Sequence, residues 1–190
     1  ANFGNMLSMA GASLFLPFLP LLAKQILLNN FLSDLPAIGI PSDNGDPEDV
    51  ARPRKWDTGG IRNFMLLFGL VSSVFDSATF GLLLFIAHAT EAQFQTGWFV
   101  ESLLSELVVA LVVRTRRRLY HSKPGKVMWA ITLVVSLAAL VIPYLPLGDV
   151  LGFVPLPLWL LAALIGVTAL YVVATEAAKG YFFSRLTRRG

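Results

Sequence analysis

Six apolar stretches, with 14 of the 15 lysines and arginines gathered in three segments between or after them, constrain this chain more than any other feature. They run approximately from Asn2 to Leu22, Gln25 to Ile40, Phe64 to His88, Trp98 to Val113, Val127 to Leu147 and Leu156 to Ala174. A bilayer's hydrocarbon core is about 30 Å thick and a helix rises about 1.5 Å per residue, so a crossing takes about 20 residues. Gln25 to Ile40 and Trp98 to Val113 fall short of that length, and the other stretches reach or approach it. With 55% hydrophobic residues, 14% charged residues and a mean hydropathy of +0.67, the chain suits lipid better than water as its main solvent. The expected fold is an all-α polytopic membrane protein: a single domain over residues 1–190, built as a six-transmembrane-helix bundle whose second helix is broken by proline.

The basic residues set the orientation. They cluster at Arg52 to Arg62, Arg114 to Lys126 and Lys179 to Arg189, and cytoplasmic segments are enriched in Lys and Arg. The connections at 41–63 and 114–126 and the tail at 175–190 are therefore expected in the cytoplasm, together with both chain ends. Around Ala89 to Thr96 and Pro146 to Pro155 there is no Lys or Arg, and the first connection carries only Lys24, so these face outward. Trp98, Trp129, Tyr144 and Trp159 stand at segment ends, where amphipathic rings favour the headgroup layer. The pI of about 9.5 thus reflects topology. No aromatic platform accompanies the charge, which argues against nucleic acid. Ala1 opens directly into an apolar segment with no initiating Met, basic leader or cleavage site, so the chain is expected to be the carboxy-terminal piece of a larger protein.

Several chemistries are excluded. There is no cysteine for a disulfide or a thiolate metal site. His88 and His121 stand alone, outside any HExxH spacing, and no phosphate-binding glycine loop occurs. The acidic run Asp43, Asp46, Glu48 and Asp49 has Gly45 and Pro47 where a calcium loop needs oxygen ligands, which makes it a solvated loop.

The second stretch, QILLNNFLSDLPAIGIP, carries the chemistry. Pro36 has no N–H to donate, so the Leu32 carbonyl is expected to be freed in a helix already interrupted again at Gly39. Asn30, Ser33 and Asp34 precede the break at spacings of three and four, on one helical face. An Asp inside a membrane costs about 2.5 to 3.5 kcal/mol on insertion scales and calls for a partner or a function. Carboxylate, amide, hydroxyl and freed carbonyl are all oxygen ligands suited to a hard cation, Mg2+ or Ca2+. The bland alternative is an interhelical hydrogen-bond cluster. Asn2 and Asn5 lie on the first stretch, which the short FLPFLPLLAK connection is expected to fold back on the second as an antiparallel hairpin. Asp76, in the middle of the third stretch, is open to either structural pairing or an ion pathway. Glu101 is expected near the outer boundary, within reach of the interface. Glu106 points about 140° away from it around an ideal helix, and both favour structural or entrance roles. Glu176 and Lys179 are expected to form a surface ion pair.

The strings NFGNMLSMAGASLFLPFLPLL and QILLNNFLSDLPAIGIPSDNGDPEDVARPRKWD, followed by FMLLFGLVSSVFDSATF, GWFVESLL, VVRT and PLPL, resemble the carboxy-terminal six-helix membrane region of P-type cation ATPases, most closely the bacterial magnesium-transporting branch. The resemblance covers essentially the whole chain. It implies that Asn2 and Asn5 occupy ligand positions of the fifth helix of such a pump, and Asn30, Ser33 and Asp34 those of the sixth. Calcium pumps of similar pattern carry Glu where this chain has Asn5, so fewer ions are implied. It also implies an ATP-driven pump delivering Mg2+ to the cytoplasm across a bacterial inner membrane. ATP and its Mg2+ would be bound by domains absent from this chain, and the ion site would be completed by a proline-broken fourth helix in the amino-terminal remainder. Alone, the chain is expected neither to hydrolyse ATP nor to pump. The alternatives are the membrane domain of a calcium or other cation pump, or a non-enzymatic six-helix channel or scaffold.

Overall fold

The computed structural model describes residues 2–42, 58–114 and 125–187, with the side chains of Asn2, Ser42, Thr58, Ile61 and of 181–187 excepted. The acidic run from Asp43, the cluster Arg116 to Lys123 and His121 lie outside the described residues. Helix α1 (Asn2–Phe15) is followed by α2 (Ala23–Asp34), which continues as a 3-10 helix over Leu35–Ser42. Helix α3 (Thr58–Gly81) ends in a π-turn at Leu82–Ile86, and α4 spans Glu91–Val113. Helix α5 (Lys126–Val141), a short α6 (Pro146–Leu151) and α7 (Leu158–Thr187) complete the chain. All described regular structure is helical. Four helical spans are long and apolar enough to cross a membrane: Arg62–Ile86, Glu91–Val113, Lys126–Tyr144 and Leu158–Gly180. The protein is a multi-pass membrane protein.

Prolines set the first boundary. Pro17 lacks the N–H that another α-helical turn needs and disfavours helical geometry at Leu16, so α1 stops at Phe15, short of Leu22. At the other end of the scale, α4 begins well before Trp98. Thr90 and Gln93 cap it reciprocally: the Gln93 N–H donates to Thr90 Oγ1 at 3.4 Å and the Thr90 N–H donates to Gln93 Oε1 at 3.0 Å. Its polar first turns are satisfied by neighbouring backbone. Gln95 Nε2 donates to the Leu19 carbonyl at 2.8 Å, and Thr96 Oγ1 accepts from the Val154 N–H at 3.0 Å.

That long α4 is the axis of the bundle. The apolar window of α4 is 78% buried, against 28% for each of the other three spans. Its Phe94, Trp98, Phe99, Leu103 and Leu107 form the core with Leu83, Phe153, Leu160 and Leu164. Outward-facing Leu14, Phe15, Phe85, Val134 and Leu170 stay exposed, as side chains facing acyl tails would. Helix α1 packs chiefly on α3, and α2 on α4 and the following 3-10 turn. The close α1–α2 hairpin expected from the short connection is thus corrected: each helix takes its principal contact from another element.

The end of the bundle that carries the α1–α2 connection is tied by side chains bonding to main-chain carbonyls. Gln25, fully buried, receives the Leu22 N–H at 3.0 Å and donates to the carbonyls of Leu151 at 3.2 Å and Gly152 at 3.4 Å. Lys24 donates to the Val150 carbonyl at 2.6 Å. This lysine therefore caps the carboxy-terminal end of α6, where a cation is favoured. Gly152 closes that helix at φ 80°, the left-handed geometry glycine adopts without penalty.

On the 3-10 turn, Gly39 lies against α5 so closely that an added Cβ would meet Met128 Cα at 2.8 Å and its backbone nitrogen at 2.9 Å. Backbone cannot swing aside as a side-chain tip can. Gly39→Ala should therefore cost about 1 to 3 kcal/mol, seen as a lower thermal midpoint in detergent, whereas Gly166→Ala, which meets nothing within 4 Å, should not.

Candidate cation site

The α-helical ladder of α2 ends at Asp34, and Leu35–Ser42 continue with the tighter 3-10 pattern. One sequence expectation needs correcting here. The Leu32 carbonyl is not freed by Pro36, because the Leu35 N–H donates to it in a three-residue closure. The oxygen ligands at this break are accordingly side chains.

Glu106 of α4 collects them. Asn5 Nδ2 of α1 donates to Glu106 Oε1 at 3.0 Å, and Asn29 Nδ2 of α2 donates to Glu106 Oε2 at 3.0 Å. Ser102 Oγ, one turn back on α4, donates to Asn29 Oδ1 at 3.4 Å and fixes which way that amide points. Glu106 is 5% exposed and Asn29 4%, so this crossing of three helices sits inside the protein. Each carboxylate oxygen retains acceptor capacity beyond its one amide partner.

Beside it lies a cavity of about 640 Å³, lined by Ser33, Asp34, Glu106, Arg114 and Tyr171 together with apolar side chains that include Phe3, Phe68 and Met128. Ser33 Oγ donates to the Asn30 carbonyl at 3.2 Å. Asp34 is exposed to this space, and no described residue hydrogen-bonds its carboxylate. The cavity thus gathers two carboxylates and a hydroxyl from α2 and α4, with the Asn5 and Asn29 amides bonded to Glu106 beside it, oxygen chemistry suited to a hard cation that keeps part of its water shell. Among the described residues, no histidine or cysteine lines it.

Of the residues singled out in the sequence, Asn5, Ser33, Asp34 and Glu106 come together. Asn30 is exposed on α2, on the outward side with Asp34, and Asn2 opens α1 with its side chain outside the described residues. Asn29 was not anticipated. Its spacing of four from Ser33 is the same as that of Asn30 from Asp34, and only the position of Glu106 tells the two asparagines apart.

The other acids are differently placed. Asp76 is 2% exposed and accepts hydrogen bonds from Ser8 Oγ and, at 3.0 Å, from Trp98 Nε1. Glu101 is 1% exposed and lies ten positions into α4, which corrects its expected place at the outer boundary. The helix starts earlier than hydropathy indicated. The Glu176–Lys179 pair is likewise not a surface pair: Lys179 is buried, donating to Glu176 Oε1 at 2.8 Å and to the Val112 carbonyl at 3.0 Å. Because α7 runs to Thr187 alongside α4, this lysine reaches the last carbonyls of α4, where a positive charge is favoured.

Comparison with known proteins adds an independent finding. Residues 18–181 match the family model described as "Cation transporting ATPase, C-terminus". The chain is 39% identical over 194 residues to the "Magnesium-transporting ATPase, P-type 1" of Salmonella typhimurium (strain 14028s / SGSC 2262), covering 97% of this chain and 21% of that protein. It is 37% identical over 190 residues to the protein of the same name from Escherichia coli (strain K12), with the same coverage. The chain therefore spans about a fifth of the length of these relatives.

Proposed function

This chain belongs to the family of cation-transporting ATPase C-terminal regions, and from that membership we propose that it is the ion-binding and supporting part of the membrane domain of an ATP-driven, magnesium-importing P-type pump. The observation that carries the proposal is the meeting of Asn5, Asn29 and Glu106 beside Ser33 and Asp34 at the point where α2 changes helical pattern. Mg2+ demands a compact octahedron of oxygens and gives up water reluctantly, so one or two carboxylates with neutral oxygens and retained waters suit it. The magnesium-transporting relatives, matched over nearly the whole chain, favour Mg2+ over Ca2+ as cargo.

In this proposal the exposed Asn30–Asp34 face of α2 receives the fourth helix of the remainder of the pump, which completes the site. The same remainder phosphorylates an aspartate from ATP and drives the alternation of access. Helices α3 to α7 hold α1 and α2 in place. The chain makes six crossings of a bacterial inner membrane, with α1 and α2 counted as the two short ones and both chain ends cytoplasmic.

The test is transport by the intact pump in cells deprived of their other Mg2+ importers. Growth at limiting Mg2+ and uptake of Mg2+ should both require the pump, and excess Ca2+ should compete weakly. Uptake of Ca2+ with no Mg2+ uptake would reject the magnesium reading while leaving the cation-pump family in place.

A further inference from the structure

Across α4 from the cation site, Asp76, Glu101 and Thr79 form a second buried polar cluster at the α3–α4 contact. Its two carboxyl groups have unequal surroundings. Both oxygens of Asp76 accept a hydrogen bond, one from Ser8 and one from Trp98, so this carboxyl fits the acceptor-only ionised form. Glu101 Oε2 has no hydrogen-bond partner, although the residue is 1% exposed. The hydroxyl of Thr79, one turn along α3 from Asp76 and beside Glu101, is fully buried and also without a partner.

Among the described residues no cation offsets these acids. Helix α1 contributes Ser8, and α4 contributes Trp98, Ser105 and, further along, Glu106. From α3 come Ser72 and Thr79, and from α7 Tyr171 and Thr175. Among the described residues no Lys, Arg or His bonds Asp76 or Glu101, and Lys179 is held by Glu176 and the Val112 carbonyl. Two neighbouring carboxylates without a countercharge inside a membrane would each bear a desolvation cost that nothing repays. One proton removes the conflict, and the two donors on Asp76 decide where it goes.

We propose that Glu101 is a proton-binding site in the membrane interior, its carboxyl carrying a proton directed to the Thr79 hydroxyl beside an ionised Asp76, distinct from the cation site at Asp34 and Glu106. The proton removes the uncompensated charge and turns an unpartnered acceptor into a donor that the neighbouring Thr79 hydroxyl can receive. This assignment does not depend on which cation the pump carries.

Infrared difference spectroscopy on the intact pump in lipid nanodiscs near neutral pH tests it. Wild type minus Glu101→Gln should show the loss of one carboxylic-acid C=O band that shifts in D2O. Thr79→Val, which removes the hydroxyl and keeps the shape, should shift that band without abolishing it, and Asp76→Asn should leave it present. Saturating Mg2+ should leave it as well. The proposal is overturned if Glu101→Gln removes no acid band, if the band belongs instead to Asp76, or if Mg2+ displaces it, which would place the proton in the cation site. Should Glu101→Gln fail to fold, the Thr79→Val shift decides alone, an unshifted spectrum counting against the proposal.

Discussion

Asp34→Asn in the intact pump is expected to lower apparent Mg2+ affinity and transport by about a hundredfold or more, taking the 10- to 100-fold effect of losing an outer-shell partner as a lower bound for a direct ligand. The substitution keeps size and removes one formal charge, and ligand charge count is a main determinant of divalent-ion affinity. It should leave folding nearly untouched, because no described residue hydrogen-bonds the Asp34 carboxylate and the side chain is exposed. Thermal stability and membrane yield measured beside uptake separate the two effects. Asn30→Ala should lose less, since it removes a neutral group from the same exposed face. Normal Mg2+ uptake by a well-folded Asp34→Asn pump would take Asp34 out of the site.

Glu106 should behave in the opposite way, with stability falling together with transport. In Glu106→Leu the amide groups of Asn5 and Asn29 lose their shared acceptor; a buried donor left unpaired costs about 1 to 3 kcal/mol, which applies in full to buried Asn29 and in part to half-buried Asn5, so roughly 1 to 4 kcal/mol is expected for the pair. Glu106→Gln should fall between wild type and Leu for a geometric reason. Its carbonyl serves one asparagine, while its NH2 faces a donor. Asn5 has no second side-chain partner among the described residues and turns its amide to accept, whereas Asn29 Oδ1 accepts from Ser102 Oγ, a hydroxyl it shares with the Phe99 carbonyl. Ser102→Ala should therefore soften the Gln substitution little, because only one asparagine has to turn and Asn5 already can. Thermal unfolding of the four variants in one detergent checks this order, and equal midpoints for Gln and Leu would argue against Glu106 as the shared acceptor.

The contrast between these residues shows what the sequence makes legible. Apolar stretches and sorted charge indicate a helical membrane protein, because lipid enforces both features locally along the chain. The polar residues of the second stretch stand out for the same reason: an Asp before a Pro inside a membrane segment is costly wherever it packs. Local signals fail where the partner is distant. Gln93, Gln95 and Thr96 depress the hydropathy at the start of α4 and hide its length, yet each is satisfied by a cap or by backbone from another element. Asn29 and Asn30 are indistinguishable by spacing, and only the arrival of Glu106 from α4 separates them. Lys24 resembles a stray charge until α6 presents the Val150 carbonyl. The Leu32 carbonyl shows the remaining kind of error, since a proline's missing N–H does not free the expected acceptor when the backbone tightens to a 3-10 turn and uses the N–H one position earlier.

The placement of the transported ion is open to direct observation. A structure of the intact pump trapped with Mg2+ bound should show octahedral density with an oxygen of Asp34 at about 2.0 to 2.1 Å, the distance Mg2+ requires, and Glu106 bound to it directly or through one of its waters. Well-resolved Asp34 and Glu106 side chains with no ion between them, and Mg2+ seated elsewhere in the membrane, would contradict the assignment of this site.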